Sequence, residues 1–170
     1  MKSQKTGVLG VVADIDRGQI VATVEIAASP ERVFRALTSA EIVDWWVRPG
    51  VFDTRLWEGD VRVGGRWSAS GLSRGEPYTV KGEYLEVDPP RKLVHTWRLA
   101  GIEEPPTTVT FILEQVEGGT RLTLQHTGFS SPDRCTSNCV GWETSLGQLI
   151  DRFRANHLTA QQNSRGDANL

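Results

Sequence analysis

The stretch from Val51 to Phe129 constrains the fold most, because its apolar residues alternate with polar ones along much of its length. Leu93, His95 and Trp97, for example, share one phase of a strand. The stretch is divided into about six strands by turn segments that contain glycine or proline. These turn segments are 64–65, 71–77, 88–90 and 118–119. Strands joined by short turns predict an antiparallel meander with one buried face.

Two short helices are predicted before the meander. Residues 20–26 alternate as a half-buried strand, and Ser29-Pro30 follows as an N-cap with proline at the first helical position. Thr38 and Glu41 have the spacing of a capping box, which predicts a second short helix. That helix would carry the adjacent pair Trp45-Trp46.

A long helix is predicted after the meander, starting near Ser131-Pro132. Its apolar stripe consists of Trp142, Leu146, Leu149, Ile150 and Phe153. The predicted fold class is therefore α+β. A curved antiparallel β-sheet packs on a long C-terminal helix, and two short helices follow the first strand.

The 170 residues suit one domain, predicted over 18–156. Residues 1–17 form an N-terminal extension in which 8–15 can add a strand, and 157–170 are predicted to be a disordered polar tail. A net charge of −2 argues against nucleic-acid binding, and the lack of a long apolar run argues against membrane insertion. Two cysteines and no signal-like apolar stretch predict a cytoplasmic protein.

Several segments carry short motifs, and the order of these motifs along the chain is more specific than any single motif. They are SPERVFRALT at 29–38, WWVRPG at 45–50, DVRVGGRW at 60–67, GEYLEVDPP at 82–90, LVHTW at 93–97, TRLTLQHTGF at 120–129 and GW at 141–142. This series resembles the family of homologues of the activator of heat shock protein 90 ATPase, a branch of the START-like (SRPBCC) superfamily. The resemblance covers roughly residues 18–155, with Val47-Arg48 where the family has a single glycine.

The resemblance implies a helix-grip fold with a cavity between the sheet and the long helix. Concave apolar sites of this kind are default binding sites, so we expect a small hydrophobic or aromatic ligand. The residues expected to line its site are Trp46, Phe52, Trp67, Tyr84, His95, Trp97, Phe111, His126, Trp142 and Leu146. Five of the six tryptophans converge there, and Trp57 is expected to be peripheral. No cofactor or metal is expected, and a homodimer is left open.

His95 and His126 lie on the apolar phase of their strands and are expected to face inward. Either could meet a ligand, or be a core histidine bonded to a neighbour. His95 is the weak catalytic candidate of an alternative function, a cyclase-type or hydrolase-type enzyme that uses the same cavity. A second alternative is a chaperone partner. The separate N-terminal domain of the eukaryotic co-chaperone has no counterpart in these residues, which argues against ATPase stimulation.

The segment from Gly71 to Gly75 fits the G-x-S-x-G pattern of a hydrolase nucleophile. That chemistry needs a strained strand-to-helix turn, whereas this segment lies between two predicted strands. It is therefore interpreted as a hairpin loop.

Cys135 and Cys139 are spaced to share one face of the last helix. A metal site would need two further ligands, which no nearby pattern supplies. A redox pair is an alternative, but two ordinary thiols are the favoured interpretation.

Overall fold

The structure, a computed structural model, describes residues 3–6 and 10–166, with side chains from residue 10 to residue 154. Within these residues, ten strands form one sheet and three segments form α-helices. The strands are β1 (Ser3–Thr6), β2 (Val11–Asp14), β3 (Gln19–Ile26), β4 (Val47–Arg48), β5 (Phe52–Gly59), β6 (Arg66–Ser73), β7 (Glu76–Asp88), β8 (Lys92–Leu99), β9 (Thr107–Val116) and β10 (Gly119–Thr127). The helices are α1 (Pro30–Leu37), α2 (Ile42–Trp45) and α3 (Pro132–Gly166).

The strand order across the sheet is β1-β2-β3-β10-β9-β8-β7-β6-β5-β4, and every neighbouring pair is antiparallel. The strands from β5 to β10 are the predicted meander. Helix α3 contacts β2 and β3 at one side of the sheet and β4 at the opposite edge. A flat sheet of this many strands would be roughly 40 Å wide. The sheet must therefore curve around α3, which confirms the predicted helix-grip fold.

The start of α1 is as predicted, and the start of α2 is not. Ser29 caps α1 by accepting from the backbone N–H of Arg32 at 3.3 Å. The capping-box prediction for α2 is wrong, because Thr38 ends α1 and its hydroxyl donates back to the Phe34 carbonyl at 2.7 Å. The Glu41 carboxylate instead accepts two hydrogen bonds of 2.8 Å from the Arg32 guanidinium.

The N-terminal extension adds strands to the sheet. β2 pairs with β3, as the sequence suggested for residues 8–15, and the two short helices therefore follow the third strand. Residues 1–2 and 7–9 lie outside the described residues.

At the other end, α3 continues through Gly166, whereas a disordered tail was predicted from residue 157. Extending an existing helix needs no new nucleus, which lets polar residues with ordinary helix propensity continue it. The last four predicted tail residues, 167–170, lie outside the described residues. None of the described helices is both long and apolar enough to cross a membrane.

The core lies between α3 and the inward face of the sheet. Along α3, Trp142, Leu146, Leu149 and Phe153 are buried, which confirms the predicted stripe, and Ile150 is partly buried beside them. The sheet contributes alternate residues of its strands, and the largest fully buried ones include Ile20, Leu93, Leu122 and Leu124.

The predicted hairpin at the G-x-S-x-G segment is confirmed. β6 ends at Ser73, and Arg74 and Gly75 make the turn into β7 with φ of 50° and 82°. Gly71 lies within β6, where an added Cβ would come 1.9 Å from the Asp53 carbonyl oxygen. The close approach of β5 therefore requires the glycine at 71, and the positive φ favours the glycine at 75.

Candidate functional site

A cleft of about 650 Å³ opens between the N-terminal half of α3 and strands β4 to β8. Trp46, Phe52, Trp97 and Trp142 supply its aromatic walls. Its polar lining comes from Arg48, Ser73, Arg74, Tyr78, Asp133, Thr136, Ser137, Asn138 and Ser145. The cleft thus combines a large apolar surface with a few polar groups, the usual composition of a small-molecule site.

The space deeper in the molecule is almost filled. A void of only about 20 Å³ remains around His95, and aromatic residues including Trp67, Tyr84 and Phe111 surround it. Such a volume holds about one water molecule. Much of the space predicted as a cavity is therefore occupied by aromatic side chains.

Trp46 and Trp142 separate the cleft from the void, since both side chains line both spaces. Their ring centroids are 5.7 Å apart. Trp46 also stacks on Trp45 at 6.2 Å and on Trp97 at 6.4 Å. Of these indoles, Trp46, Trp97 and Trp142 form the aromatic wall of the cleft, and Trp45 packs behind Trp46 in the core.

A chain of hydrogen bonds fixes the positions of two cleft residues. The Trp142 indole N–H donates to Nδ1 of His126 at 2.9 Å. Nε2 of His126 lies 2.6 Å from the Thr107 hydroxyl, which itself donates to the Trp97 carbonyl at 3.1 Å. Because Nδ1 accepts and the Thr107 proton is already used, His126 carries its proton on Nε2. The chain is therefore consistent with a neutral histidine.

Burial controls the charge of both inward histidines. It lowers the pKa of His126 to about 3, with a smaller contribution from His95. It also lowers the pKa of His95 to about 4, against the opposing effect of a 2.9 Å hydrogen bond between Nδ1 and the Thr96 carbonyl. Both side chains are neutral at neutral pH.

Two buried polar atoms in the cleft walls have no hydrogen-bond partner among the described residues. They are the Ser145 hydroxyl and the indole nitrogen of Trp97. Ser145 is fully buried as a residue. Buried polar groups in folded proteins are nearly always bonded to protein, water or ligand. Both atoms are shielded from the cleft as the side chains stand, so a ligand would reach them only after the side chains turn toward it.

The structure divides the predicted site residues into three groups. Trp46, Phe52, Trp97 and Trp142 line the cleft, and Trp67, Tyr84, His95 and Phe111 line the void together with Trp46 and Trp142. His126 and Leu146 are buried in the core and line neither space. Trp57, expected to be peripheral, is partly buried and lines the void.

The sequence reasoning missed the polar lining of the cleft. Asp133, Thr136, Ser137, Val140 and Gly141 all line it from α3. Their spacing of three and four residues is a second stripe on the helix, beside the apolar one. The small side chains in this stripe are the sequence feature from which this side of the cleft could have been predicted.

The two cysteines lie apart from this cleft. Both are buried and form no disulfide, and burial raises the pKa of the Cys135 thiol. Across the described residues, no group of three or more His, Cys, Asp or Glu side chains gathers in a metal-binding arrangement.

A curved antiparallel sheet that holds a long C-terminal helix, with a cleft between them, defines the helix-grip class of proteins. A family model described as "Activator of Hsp90 ATPase homolog 1-like protein" matches residues 27–154, and the chain belongs to this family. The resemblance noted in the sequence is thereby confirmed.

Solved structures of bacterial proteins share the fold. Protein CV1439 from Chromobacterium violaceum is 28% identical with a TM-score of 0.71, covering 80% of this chain and 96% of that one. Ms6760 from Mycobacterium smegmatis is 22% identical with a TM-score of 0.73, covering 85% and 96%. CalU16 from Micromonospora echinospora is 23% identical with a TM-score of 0.59, covering 98% and 90%. A comparison with curated proteins found no match.

Proposed function

We propose that this protein binds a small, largely apolar or aromatic molecule in the cleft between α3 and the sheet. The observation that carries the proposal is the cleft itself, whose aromatic walls enclose about 650 Å³. This volume lies within the range of about 300–1,000 Å³ that is typical of small-molecule sites. Flat aromatic walls favour a planar ligand, because rings stack on one another at offset or tilted angles.

In the part of the chain that the structure describes, two unpartnered polar atoms lie in the walls and could bond a ligand if their side chains turned toward the cleft. The indole nitrogen of Trp97 can only donate a hydrogen bond, and the Ser145 hydroxyl can donate or accept one. A carbonyl or hydroxyl oxygen on the ligand matches both. The proposed ligand class is defined by the aromatic walls as a planar, largely apolar molecule, and such an oxygen is an additional feature rather than a requirement.

Gly141 offers a direct test, because it lines the cleft and an added Cβ would meet nothing within 4 Å. Gly141→Leu should occupy part of the cleft without disturbing the helix, while Gly141→Ala adds only a methyl group. A panel of planar aromatic compounds would be screened against all three proteins. Binding would be followed by tryptophan fluorescence, since Trp46, Trp97 and Trp142 form the walls, and by thermal shift.

The expected result is binding to the wild type and to Gly141→Ala, with loss of roughly tenfold or more in Gly141→Leu, because the added side chain occupies ligand volume. Circular dichroism would show that Gly141→Leu is folded. If no compound in a broad panel binds the wild type, or if Gly141→Leu binds equally well, the proposal is wrong.

The enzyme and chaperone alternatives remain predictions. His95 is not among the residues that line the cleft, so a reaction that uses it would need a path into a void of about 20 Å³. His95→Gln should abolish turnover if such a reaction exists. A pull-down with the chaperone at micromolar concentration would test the second alternative.

A further inference from the structure

Two arginines lie at the rim of the cleft. Arg48 is in β4 and Arg74 is in the turn between β6 and β7, and both line the cleft. Arg48 pairs with Phe52 and Phe52 pairs with Ser73, so these three side chains point to the same face. Strands lie about 4.8 Å apart, which places Arg48 and Ser73 about 10 Å from each other. Arg74 follows Ser73 directly, in the turn, and lines the cleft together with Arg48 and Phe52.

Neither guanidinium group has an ion-pair partner within the described part of the chain. The lining contains one carboxylate, Asp133, against these two arginines. The side chains that line the cleft therefore carry a net formal charge of +1, whereas the whole protein has a net charge of −2. A positive rim around an apolar cleft attracts anions.

Helix α3 adds to the positive electrostatic potential of the cleft. Its first turns line the cleft through Asp133, Thr136 and Ser137, and the N-terminal end of a long helix is electrostatically positive. Ser145, which is fully buried and whose hydroxyl has no hydrogen-bond partner among the described residues, lies in the wall of the same cleft.

The backbone at Arg74 is also unusual. Its φ of 50° is left-handed, a conformation that costs a residue with a side chain roughly 1–2 kcal/mol and that glycine or asparagine adopts more easily. The Arg74 N–H donates to the Val51 carbonyl at 2.7 Å, which holds the turn against the β4–β5 connection. This contact fixes the start of the Arg74 side chain at the rim.

From these observations we infer that the cleft selects a small aromatic acid. Its apolar ring would lie between the tryptophans, and its carboxylate or sulfonate would be held at the rim by Arg48 and Arg74. The inference rests on the proposed function, because it specifies the charge of the ligand that the cleft takes.

A matched pair of fluorescent compounds tests the preference for an anionic ligand separately from the proposed binding of apolar molecules. N-phenylnaphthylamine is neutral, and anilinonaphthalenesulfonate has the same aromatic framework with a sulfonate group. Their dissociation constants would be measured by energy transfer from the tryptophans, for the wild type, Arg48→Gln, Arg74→Gln and Asp133→Asn. Arg35→Gln is the control, because Arg35 is exposed on α1 and does not line the cleft.

We expect the sulfonate to bind the wild type at least tenfold more tightly than the neutral compound. Each rim arginine variant should weaken sulfonate binding by roughly threefold to tenfold, as for one solvent-screened charged hydrogen bond, and leave neutral binding unchanged. Asp133→Asn should strengthen sulfonate binding, and added salt should weaken it. Arg35→Gln should behave as the wild type.

If both compounds bind the wild type equally, or if Arg35→Gln changes sulfonate binding as much as the rim variants, the inference is overturned and the proposed function stands. If neither compound binds the wild type, the inference is overturned, and the proposed function is decided by the broad panel described above. Gly141→Leu should reduce the binding of both compounds, and sulfonate binding that survives this variant would place the compound outside the cleft and refute the inference.

Discussion

At the scale of single residues, the hydrogen-bond chain through His126 holds the wall of the cleft. His126 is fully buried, and each of its ring nitrogens has one partner, Trp142 on one side and Thr107 on the other. A side chain without polar atoms at this position would leave a buried indole N–H unpaired. Unsatisfied buried groups cost more than the hydrogen bond itself contributes.

His126→Leu should therefore lower the free energy of unfolding by about 2–4 kcal/mol. Urea denaturation measures this loss. Trp142→Phe removes the indole N–H that His126→Leu leaves unpaired. Trp142→Phe should therefore lower the free energy of unfolding less in the His126→Leu variant than in the wild type. Additive losses from His126→Leu and Trp142→Phe would show that the two side chains are not coupled.

The two buried histidines also predict how stability depends on pH. Their pKa values in the folded protein, about 3 for His126 and about 4 for His95, lie below the value of about 6.5 in an unfolded chain. The unfolded chain thus takes up protons first as the pH falls. Stability is fully present above pH 6.5 and is lost progressively below it, until the folded histidines also become protonated.

For His95 this loss should reach about 2 kcal/mol at about pH 5. His95→Gln does not titrate in this range, so its unfolding free energy should fall less than that of the wild type between neutral pH and about pH 5. Urea denaturation of both proteins at each pH gives the difference. Equal losses in the two proteins would mean that His95 titrates normally in the folded state.

Strand phase was enough to predict that both histidines face inward, because side chains alternate along a strand. It could not show that the partner of His126 is Trp142. That residue is on α3, and the contact depends on how the helix lies across the sheet. Pairing between elements that are distant in sequence is decided by packing, which local patterns do not contain.

At the scale of elements, the β6–β7 hairpin explains the G-x-S-x-G segment without a nucleophile. Gly71 is confined by the backbone of β5, where a Cβ would come 1.9 Å from the Asp53 carbonyl oxygen. At Gly75 a Cβ would meet nothing within 4 Å, and its φ of 82° is the constraint there. The two glycines are thus required for different reasons.

Three alanine variants should separate these reasons by their free energies of unfolding. Gly71→Ala should cost more than about 2 kcal/mol, because the strand backbones must move apart. Gly75→Ala should cost about 1 kcal/mol for its left-handed backbone. Ser73→Ala should change stability by less than about 0.5 kcal/mol, since Ser73 is a partly exposed rim residue. Equal costs at Gly71 and Gly75 would contradict the close contact with β5.

The sequence predicted the meander, the turns and α3, but not where the open space lies. The positions of Trp67, Tyr84 and Phe111 in their strands were predicted well enough to direct them inward. Whether they fill the interior or surround a cavity depends on the summed volume of interlocking side chains. That sum depends on sheet curvature and on rotamers, which no periodicity specifies.

At the scale of the whole molecule, ion pairs join the three helices. Glu41, between α1 and α2, binds Arg32 of α1 through two hydrogen bonds of 2.8 Å. Arg152 of α3 lies 3.8 Å from Glu41 and 3.3 Å from Asp44 of α2. The Arg32 guanidinium also lies over the Phe153 ring, 4.8 Å from its centroid. This network ties the short helices to the helix that forms one wall of the cleft.

A double-mutant cycle with Arg32→Met and Glu41→Gln should give a coupling energy of about 1–2 kcal/mol, because the pair is bidentate and largely shielded from water. The exposed pair of Arg62 and Asp60, joined by one contact of 2.7 Å, is the control and should give less than about 0.5 kcal/mol. Urea denaturation supplies both values. If the two coupling energies are equal, the Arg32–Glu41 pair is no more than a surface contact. A larger coupling at Arg32–Glu41 would mean that this pair helps to hold α1 against the start of α2, where Glu41 also lies 3.8 Å from Arg152 of α3.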